Sequence, residues 1–431
     1  MFKWIFSICF CVTFQVVFAG NELFSTSIKI KNQENQEIFI KTEKYTSLDN
    51  LIDSAMQSNL IGISDYDQQV SKVDITMSIR GLSSTIEYKA EKYTGAAGED
   101  RYDTRLTFKI GDIAVNENFC AKEVVINNQK RCTSTRVDNE NKFRDYVEDN
   151  RDGIQNKIAK YLVETDAFEP VTGPDGLIPT MATEDFSNAT ELARGSDSES
   201  GGSSYGSGLA AGYFCTDDHC QSLITLPLNY THYFSESGKK LKLSAPISYI
   251  NVDGSKAFKG NFGASLTQPM SKKWTIIPSF RLGVVGSADM GSSATIASLS
   301  LSNIYNFPYK SKHISFANMI GFQKSLDVKL GDLESPYDLN TQVMKNGISI
   351  EFPQRYTMLG GKTSIEASLA NTQFFGEDLY IKNTTDIAVS IGTRRKLGKT
   401  DKYEDGMHLG ITYTLGEHGY QGGKFNFGYK F

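Results

Sequence analysis

The chain has 431 residues, a formal net charge of -5, 39% hydrophobic and 11% aromatic side chains, and 37 glycines. This length leaves room for two or three domains, and the mild negative charge argues against nucleic acid as a general partner. Beyond residue 19 no stretch reaches the roughly 18 uninterrupted apolar side chains of a membrane-crossing helix, which excludes one there. Low hydrophobicity with many aromatics and glycines instead suits a β-barrel, whose inward half is polar and whose turns need glycine.

The first element is a leader over Met1–Ala19: Lys3, then an apolar run from Trp4 to Phe18 interrupted by Ser7, Thr13 and Gln15. Val17 and Ala19 place small or modest residues where signal peptidase reads, so cleavage is expected between Ala19 and Gly20. The run is shorter than the roughly 20 residues that span a bilayer. Cys9 and Cys11 lack the small-residue context of a lipoprotein site. Of the six cysteines, Cys120, Cys132, Cys215 and Cys220 remain. An even number in an exported chain reads as disulfides: Cys120 with Cys132 across a hairpin centred on Ile126, and Cys215 with Cys220 closing a short acidic loop. Metal binding by Cys215, Asp217, His219 and Cys220 is the alternative, disfavoured because thiolates are seldom left free in an oxidising compartment.

Residues 20–168 read as a small α+β domain. Val73, Ile75, Met77 and Ile79 alternate with polar residues as in a half-buried strand, and Leu106, Phe108 and Ile110 repeat the pattern. Ile28 and Ile30, then Ile38 and Ile40, give a shorter pair. A helix is expected over Ser47–Gln57, with Ser47 as N-cap and Leu48, Leu51, Ile52 and Met56 on one face. A longer one is expected from Glu140 to Glu164, where Phe143, Tyr146, Val147, Ile154, Ile158, Tyr161 and Leu162 recur at three and four and Gly153 weakens the middle. Nothing in the domain marks a catalytic centre. Residues 169–202 read as a connector: Pro170 to Phe186 holds three prolines and little periodicity, and Thr190 to Gly208 is a Gly-, Ser- and acid-rich linker.

From residue 203 to 431 the texture becomes segments of barrel-strand length between turn clusters. Twelve strands are expected, near 203–214, 220–232, 240–251, 257–268, 273–286, 293–306, 312–324, 340–353, 357–372, 379–396, 406–415 and 421–431. In the last of them Phe425, Phe427, Tyr429 and Phe431 take every second position, which makes one face aromatic. An even count suits a closed barrel, and closure leaves no backbone edge unpaired in lipid. Pro227, Pro246, Pro278 and Pro353 depart from the pattern, since each removes a ladder donor. With the chain's end in the periplasm, the short turns on that side are basic (Ser237–Lys240, Ser271–Lys273, Tyr309–Lys312, Lys396–Lys402). The opposite loops are richer in acid, the longest being Asp327–Asp338.

The terminal aromatic strand resembles the C-terminal recognition strand of bacterial outer-membrane barrels. That resemblance implies the barrel-assembly machinery and periplasmic chaperones as partners in biogenesis, and the outer membrane with its lipopolysaccharide as the final surroundings. Leu226–Thr231 (LPLNYT), Leu243–Tyr249 (LSAPISY), Trp274–Ser279 (WTIIPS), Gly286–Asp289 (GSAD), Asn318–Gly321 (NMIG), Lys345–Gly347 (KNG) and Phe375–Tyr380 (FGEDLY) occur in order. Together they resemble the solitary autotransporter-like outer-membrane barrel family over residues 203–431. The resemblance implies a mainly β protein: a 12-stranded antiparallel outer-membrane barrel after the α+β domain, with an N-terminal segment able to thread the pore. Residues 20–168 are expected in the periplasm, with the 140–164 helix and the connector near the lumen.

The function expected is non-enzymatic, a pore or translocator. Alternatives are a structural or surface-interaction protein whose residues 20–168 bind an unknown protein partner, and a soluble periplasmic β protein. Two enzyme readings carry little weight. His313 and Ser315 share a strand face but lack the rest of an outer-membrane phospholipase pattern. Asp217, Asp218 and His219 resemble a barrel-protease cluster, yet the flanking cysteines explain the loop better. His232, His408 and His418 read as lumen or turn positions, and no nucleotide or haem motif points to a cofactor.

Overall fold

Alternation of outward apolar and inward polar side chains builds the larger part of the molecule. In this computed structural model, residues 23–47, 50–51, 66–67, 70–95, 97–126, 128–149, 151–194, 202–234, 238–309, 312–327, 337–358, 361–396 and 403–430 are described. The expected leader with its Ala19–Gly20 cleavage point, most of the expected Ser47–Gln57 helix, and Phe431 lie outside them.

The N-terminal domain is a six-stranded antiparallel sheet of β1 (Phe24–Lys31), β2 (Glu37–Tyr45), β3 (Lys72–Ile79), β4 (Leu82–Thr94), β5 (Asp100–Ile110) and β6 (Val115–Phe119). Its spatial order is β2-β1-β3-β4-β5-β6. A separate hairpin, β7 (Glu123–Ile126) with β8 (Gln129–Cys132), follows. Where one long helix was expected there are two, α1 (Arg136–Asp149) and α2 (Arg151–Thr165). Phe143 of α1 packs on Phe108 and Phe119, with ring centroids 4.9 and 5.3 Å away. This places α1 on the domain's sheet and not in the barrel.

Twelve antiparallel strands then close a barrel, each paired with its neighbour in sequence. They are β9 (Gly202–Cys215), β10 (Cys220–Leu226 and Leu228–Tyr233), β11 (Lys240–Ser244 and Ile247–Val252), β12 (Ser255–Leu266, continued at Gln268–Pro269), β13 (Trp274–Ser287) and β14 (Ser292–Tyr309). Next come β15 (Lys312–Leu326), β16 (Asn340–Met358), β17 (Gly361–Phe375), β18 (Asn383–Lys396), β19 (Tyr403–Gly416) and β20 (Gln421–Lys430). Closure is made by β20 against β9, with Phe425 opposite Ala211, Phe427 opposite Leu209 and Tyr429 opposite Ser207. The prolines act locally. Pro227 and Pro246 split β10 and β11, Pro353 sits at a register shift, and Pro278 faces outward within an unbroken β13.

Along β13–β15 the outward residues include Phe280, Leu282, Val284, Leu299, Leu301, Phe316, Ile320 and Phe322, all exposed. The inward ones include Ser279, Arg281, Ser298, Ser300, Ser302 and Gln323, all buried. Exposed Tyr205, Trp274, Tyr305, Phe307, Tyr309 and Tyr356 ring the end at which β9 starts and β20 finishes. An apolar belt with an aromatic girdle is the exterior of a barrel of outer-membrane type. Among the described residues no helix is long and apolar enough to cross a membrane.

The N-terminal domain sits on the opposite end. Thr46 accepts a hydrogen bond from Ser255 Oγ (2.7 Å), and the Val163 carbonyl accepts one from the Tyr380 N–H (2.9 Å). Phe24, Ile28 and Leu82 share one buried cluster with Val252, Ala257 and Met290 of the barrel rim. A periplasmic domain and a periplasmic end to the last strand, both expected from the sequence, are therefore incompatible, because the two lie at opposite ends of the barrel.

Candidate functional site: an occupied lumen

Residues 170–194, expected as an irregular connector running into a flexible linker, contain the element that defines the site. Helix α3 (Leu177–Arg194) lies inside the barrel. Pro179 falls in its first turn, where no intrahelical N–H is lost. The carbonyls of Pro170 and Val171 accept the N–H groups of Leu177 and Ile178, both at 2.9 Å, which satisfies donors that a helix start leaves open. Leu177, Ile178, Met181, Ala182, Phe186, Ala189 and Leu192 recur at helical spacing. They bury against Ile277, Val285, Ile296, Ile304, Met319 and Val343 of the wall. Two wall glycines make room for this face. A Cβ at Gly283 would lie 2.8 Å from both Leu177 Cδ1 and Met181 Sδ, and one at Gly347 would lie 2.8 Å from Phe186 Cζ.

The polar contacts are of complementary sign: acids on the helix, bases on the wall. Arg281, whose side chain is 0% exposed, donates from Nη1 to Glu184 (2.8 Å) and from Nε to Asp185 (3.0 Å). Ser300 donates to the other oxygen of Asp185 at 2.8 Å. Lys242 pairs with Glu191. Lys345 bridges Thr183 (3.2 Å) and Asp386 (3.0 Å). Lys259 donates to Thr180 Oγ1 at 2.6 Å and to the Asp175 carbonyl. The contacts also give the direction of travel. Gln323 reaches the Ile178 carbonyl (2.8 Å), while Lys240 and Asn306, towards the girdled end, reach the carbonyls of Leu192 (3.0 Å) and Ala193 (3.2 Å). The chain thus enters beside the N-terminal domain, crosses the lumen and starts β9 at the far end. At 1.5 Å per residue α3 is about 27 Å long, close to the ~25 Å apolar band of such barrels.

The helix fills one side of the lumen. On the other lies a cavity of about 480 Å³, lined by Thr183, Ser187 and Asn188 and by small wall residues such as Ser349, Ser368 and Gly410. At the domain end Tyr420 limits it. Its ring stacks on Phe214 (5.7 Å, 8° between planes) and tilts against Phe168 (5.9 Å), and its hydroxyl donates to Asp175 at 2.6 Å.

Of the candidate residues read from sequence, Ser315, His408, Phe427 and Tyr429 belong to the lining of this cavity, whereas the cysteines lie elsewhere. Cys120 is bonded to Cys132 beneath the β7–β8 hairpin, and Cys215 to Cys220 across the β9–β10 turn. His313 lies opposite Glu351, and the Ser315 hydroxyl goes to Asn306 (2.7 Å), so the two form no nucleophile–base pair with each other. His232 meets Ser203 at 3.1 Å, and His418 stacks on Tyr380 at 4.2 Å. Among the described residues no group of three or more His, Cys, Asp or Glu could hold a metal ion.

His219 has a different role: its Nδ1 lies 2.7 Å from Asp253, tying the β9–β10 turn to the β11–β12 turn. That hydrogen bond raises the imidazole pKa above its ordinary value of 6.5, against the lowering effect of burial. A raised folded-state pKa contributes stability in full below 6.5 and loses it as pH rises through the raised value. A histidine NMR titration is expected to show a midpoint above 6.5, and Asp253→Asn should lower it. An unshifted midpoint in the parent would exclude the tie.

These elements define a twelve-stranded barrel of outer-membrane type, threaded by a helix and capped by an α+β domain. No protein-family model matches the chain, and no curated protein matches it. Solved structures similar to it include the β domain of the Bordetella autotransporter BrkA, at 16% identity over 54% of this chain and 98% of that one, TM-score 0.38. The translocator domain of autotransporter NalP from Neisseria meningitidis is 12% identical over 63% of this chain and 99% of that one, TM-score 0.44. LpxR from Salmonella typhimurium is 9% identical over 52% and 99%, TM-score 0.34.

Proposed function

We propose that the chain is an autotransporter-like outer-membrane protein that carries its own N-terminal domain to the cell surface and anchors it there. The observation that carries this reading is the path of α3, from the domain at one mouth to the first barrel strand at the other. Such a path fits a barrel through which its own N-terminal segment has passed. Barrels of this class have short turns towards the periplasm and longer loops outside. The long 327–339 connection lies at the domain's end, which supports an outward-facing domain. With the lumen occupied, the finished protein acts as a plugged anchor, and a porin-like role is the weaker reading.

The test is surface labelling in intact cells. Ile40 is 56% exposed on β2 of the domain, so Ile40→Cys offers an accessible thiol. A membrane-impermeant maleimide should label it as fully on intact cells as after outer-membrane permeabilisation. Labelling that requires permeabilisation would put the domain in the periplasm and end this reading.

A further inference from the structure

The turn that joins β3 to β4 is built against local preference. Arg80 and Gly81 both have positive φ, 52° and 90°, as a tight primed hairpin turn requires. Glycine takes the second position at no steric cost. The first is normally Asn, Asp or Gly, and an arginine there is strained. The strained residue sends its side chain, 0% exposed, out of its own domain and into the barrel mouth. There Nε donates to Asp166 (2.7 Å) and Nη1 to Ser292 Oγ at the start of β14 (3.1 Å), with Glu169 4.0 Å from Nη1. Ser292 and the Tyr337 hydroxyl both donate to Glu169 Oε1, at 3.1 and 2.7 Å, and Glu169 Oε2 receives the N–H groups of Val171 (2.6 Å) and Thr172 (2.9 Å). Four segments meet in this one buried group: the domain's hairpin, the connection from α2 to α3, the rim of the barrel and the long 327–339 connection.

The geometry points to a fixed cap: the N-terminal domain is locked onto the barrel mouth, with Arg80 as the pin, and is not a freely tethered passenger. A surface-displayed module needs only its tether. It does not need a buried arginine reaching into two carboxylates and the barrel wall, nor a hydrophobic cluster shared between domain and rim. Removing the pin would leave Glu169 buried, and Asp166 largely so, without their cation, which is costly to the docked state. The same contacts close the mouth above the Tyr420 seal, so the lumen is shut by a cap as well as by a helix. This inference concerns domain against barrel and holds on whichever side of the membrane the domain lies.

Hydrogen exchange of the full chain in detergent tests it, comparing the parent with Arg80→Met. In the parent, the 79–82 turn and residues 166–176 should be protected like the domain's own sheet. In Arg80→Met both segments should exchange at least about tenfold faster, with barrel strands unchanged. Unchanged exchange in the variant, or rapid exchange of these segments in the parent, would overturn the cap. If Arg80→Met unfolds the sheet as a whole, the pair Ser292→Ala with Tyr337→Phe decides, since it alters the barrel side alone. That pair should speed up the same segments while β3–β5 stay protected, and failure to do so would overturn the proposal.

Discussion

Arg281→Met is expected to destabilise the assembly of helix and barrel by about 3–5 kcal/mol, the cost of leaving a buried acid without its partner. The guanidinium is fully enclosed and spans two helix carboxylates, Glu184 and Asp185, besides donating from Nη1 to Asn261 Oδ1 at 2.5 Å. Methionine matches much of its volume but cannot neutralise Asp185, whose side chain is also 0% exposed. Because the loss comes from the orphaned charge, adding Glu184→Gln and Asp185→Asn to Arg281→Met should recover most of it. Denaturation midpoints in detergent measure both. A single variant as stable as the parent, or a triple variant no better than the single, would mean that the ion cluster does not hold the helix.

The second large effect is electrical. A variant that keeps residues 1–22 but lacks residues 23–194 should form steady open channels in planar bilayers, whereas the parent stays closed. Removing α3 frees a bore about 10 Å wide, the diameter of a helix with side chains, and joins it to the cavity already present. Replacing residues 177–194 by an equal length of Gly and Ser should open the barrel far less. Such a coil spans about 5–6 Å times the square root of its length, enough to keep the tether, and the domain still covers the mouth. An isolated barrel that shows the boiling-dependent gel shift of a closed barrel yet does not conduct would refute the plug.

Much of the barrel was legible in the sequence because its physics is local. The alternation of Phe425, Phe427 and Tyr429 marks the strand that closes the barrel on β9, and the expected 293–306, 312–324 and 340–353 segments fall within β14, β15 and β16. The prolines that depart from the pattern act locally, since Pro227 and Pro246 each break an expected strand into two pieces that keep the same neighbours. The lumen helix was not recognised, although its signal was present. The spacing Leu177, Met181, Asp185, Ala189, Leu192 is helical, but Pro174 and Pro179 obscure its start and the polar stretch from Thr190 reads as linker. The electrostatic match was out of reach from sequence alone. Glu184 and Arg281 are 97 residues apart, and only the closed barrel brings them together.

That a periplasmic domain and a periplasmic end to the last strand exclude each other was not legible in the sequence, for a related reason. The connections after β9, β11, β13, β15, β17 and β19 are rich in acid, which gives no sign of a covering domain, yet Thr46, Val163 and Phe168 of the preceding region pack on several of them. A helix of about 27 Å that crosses the barrel carries the chain from one end to the other, and no composition or periodicity reports that direction.

The most direct test of the account is a thiol cross-link between helix and wall in native outer membranes. Asn188 of α3 and Ser244 of β11 meet at 3.1 Å, and Ser265 with Ser279 on neighbouring strands at 2.8 Å serves as a control within the wall. Asn188→Cys with Ser244→Cys should be joined by a short bis-thiol reagent as completely as Ser265→Cys with Ser279→Cys, read as altered mobility of the boiled protein. Cross-linking of the wall pair alone would show that the helix does not occupy the lumen, and the threaded, capped anchor would have to be abandoned.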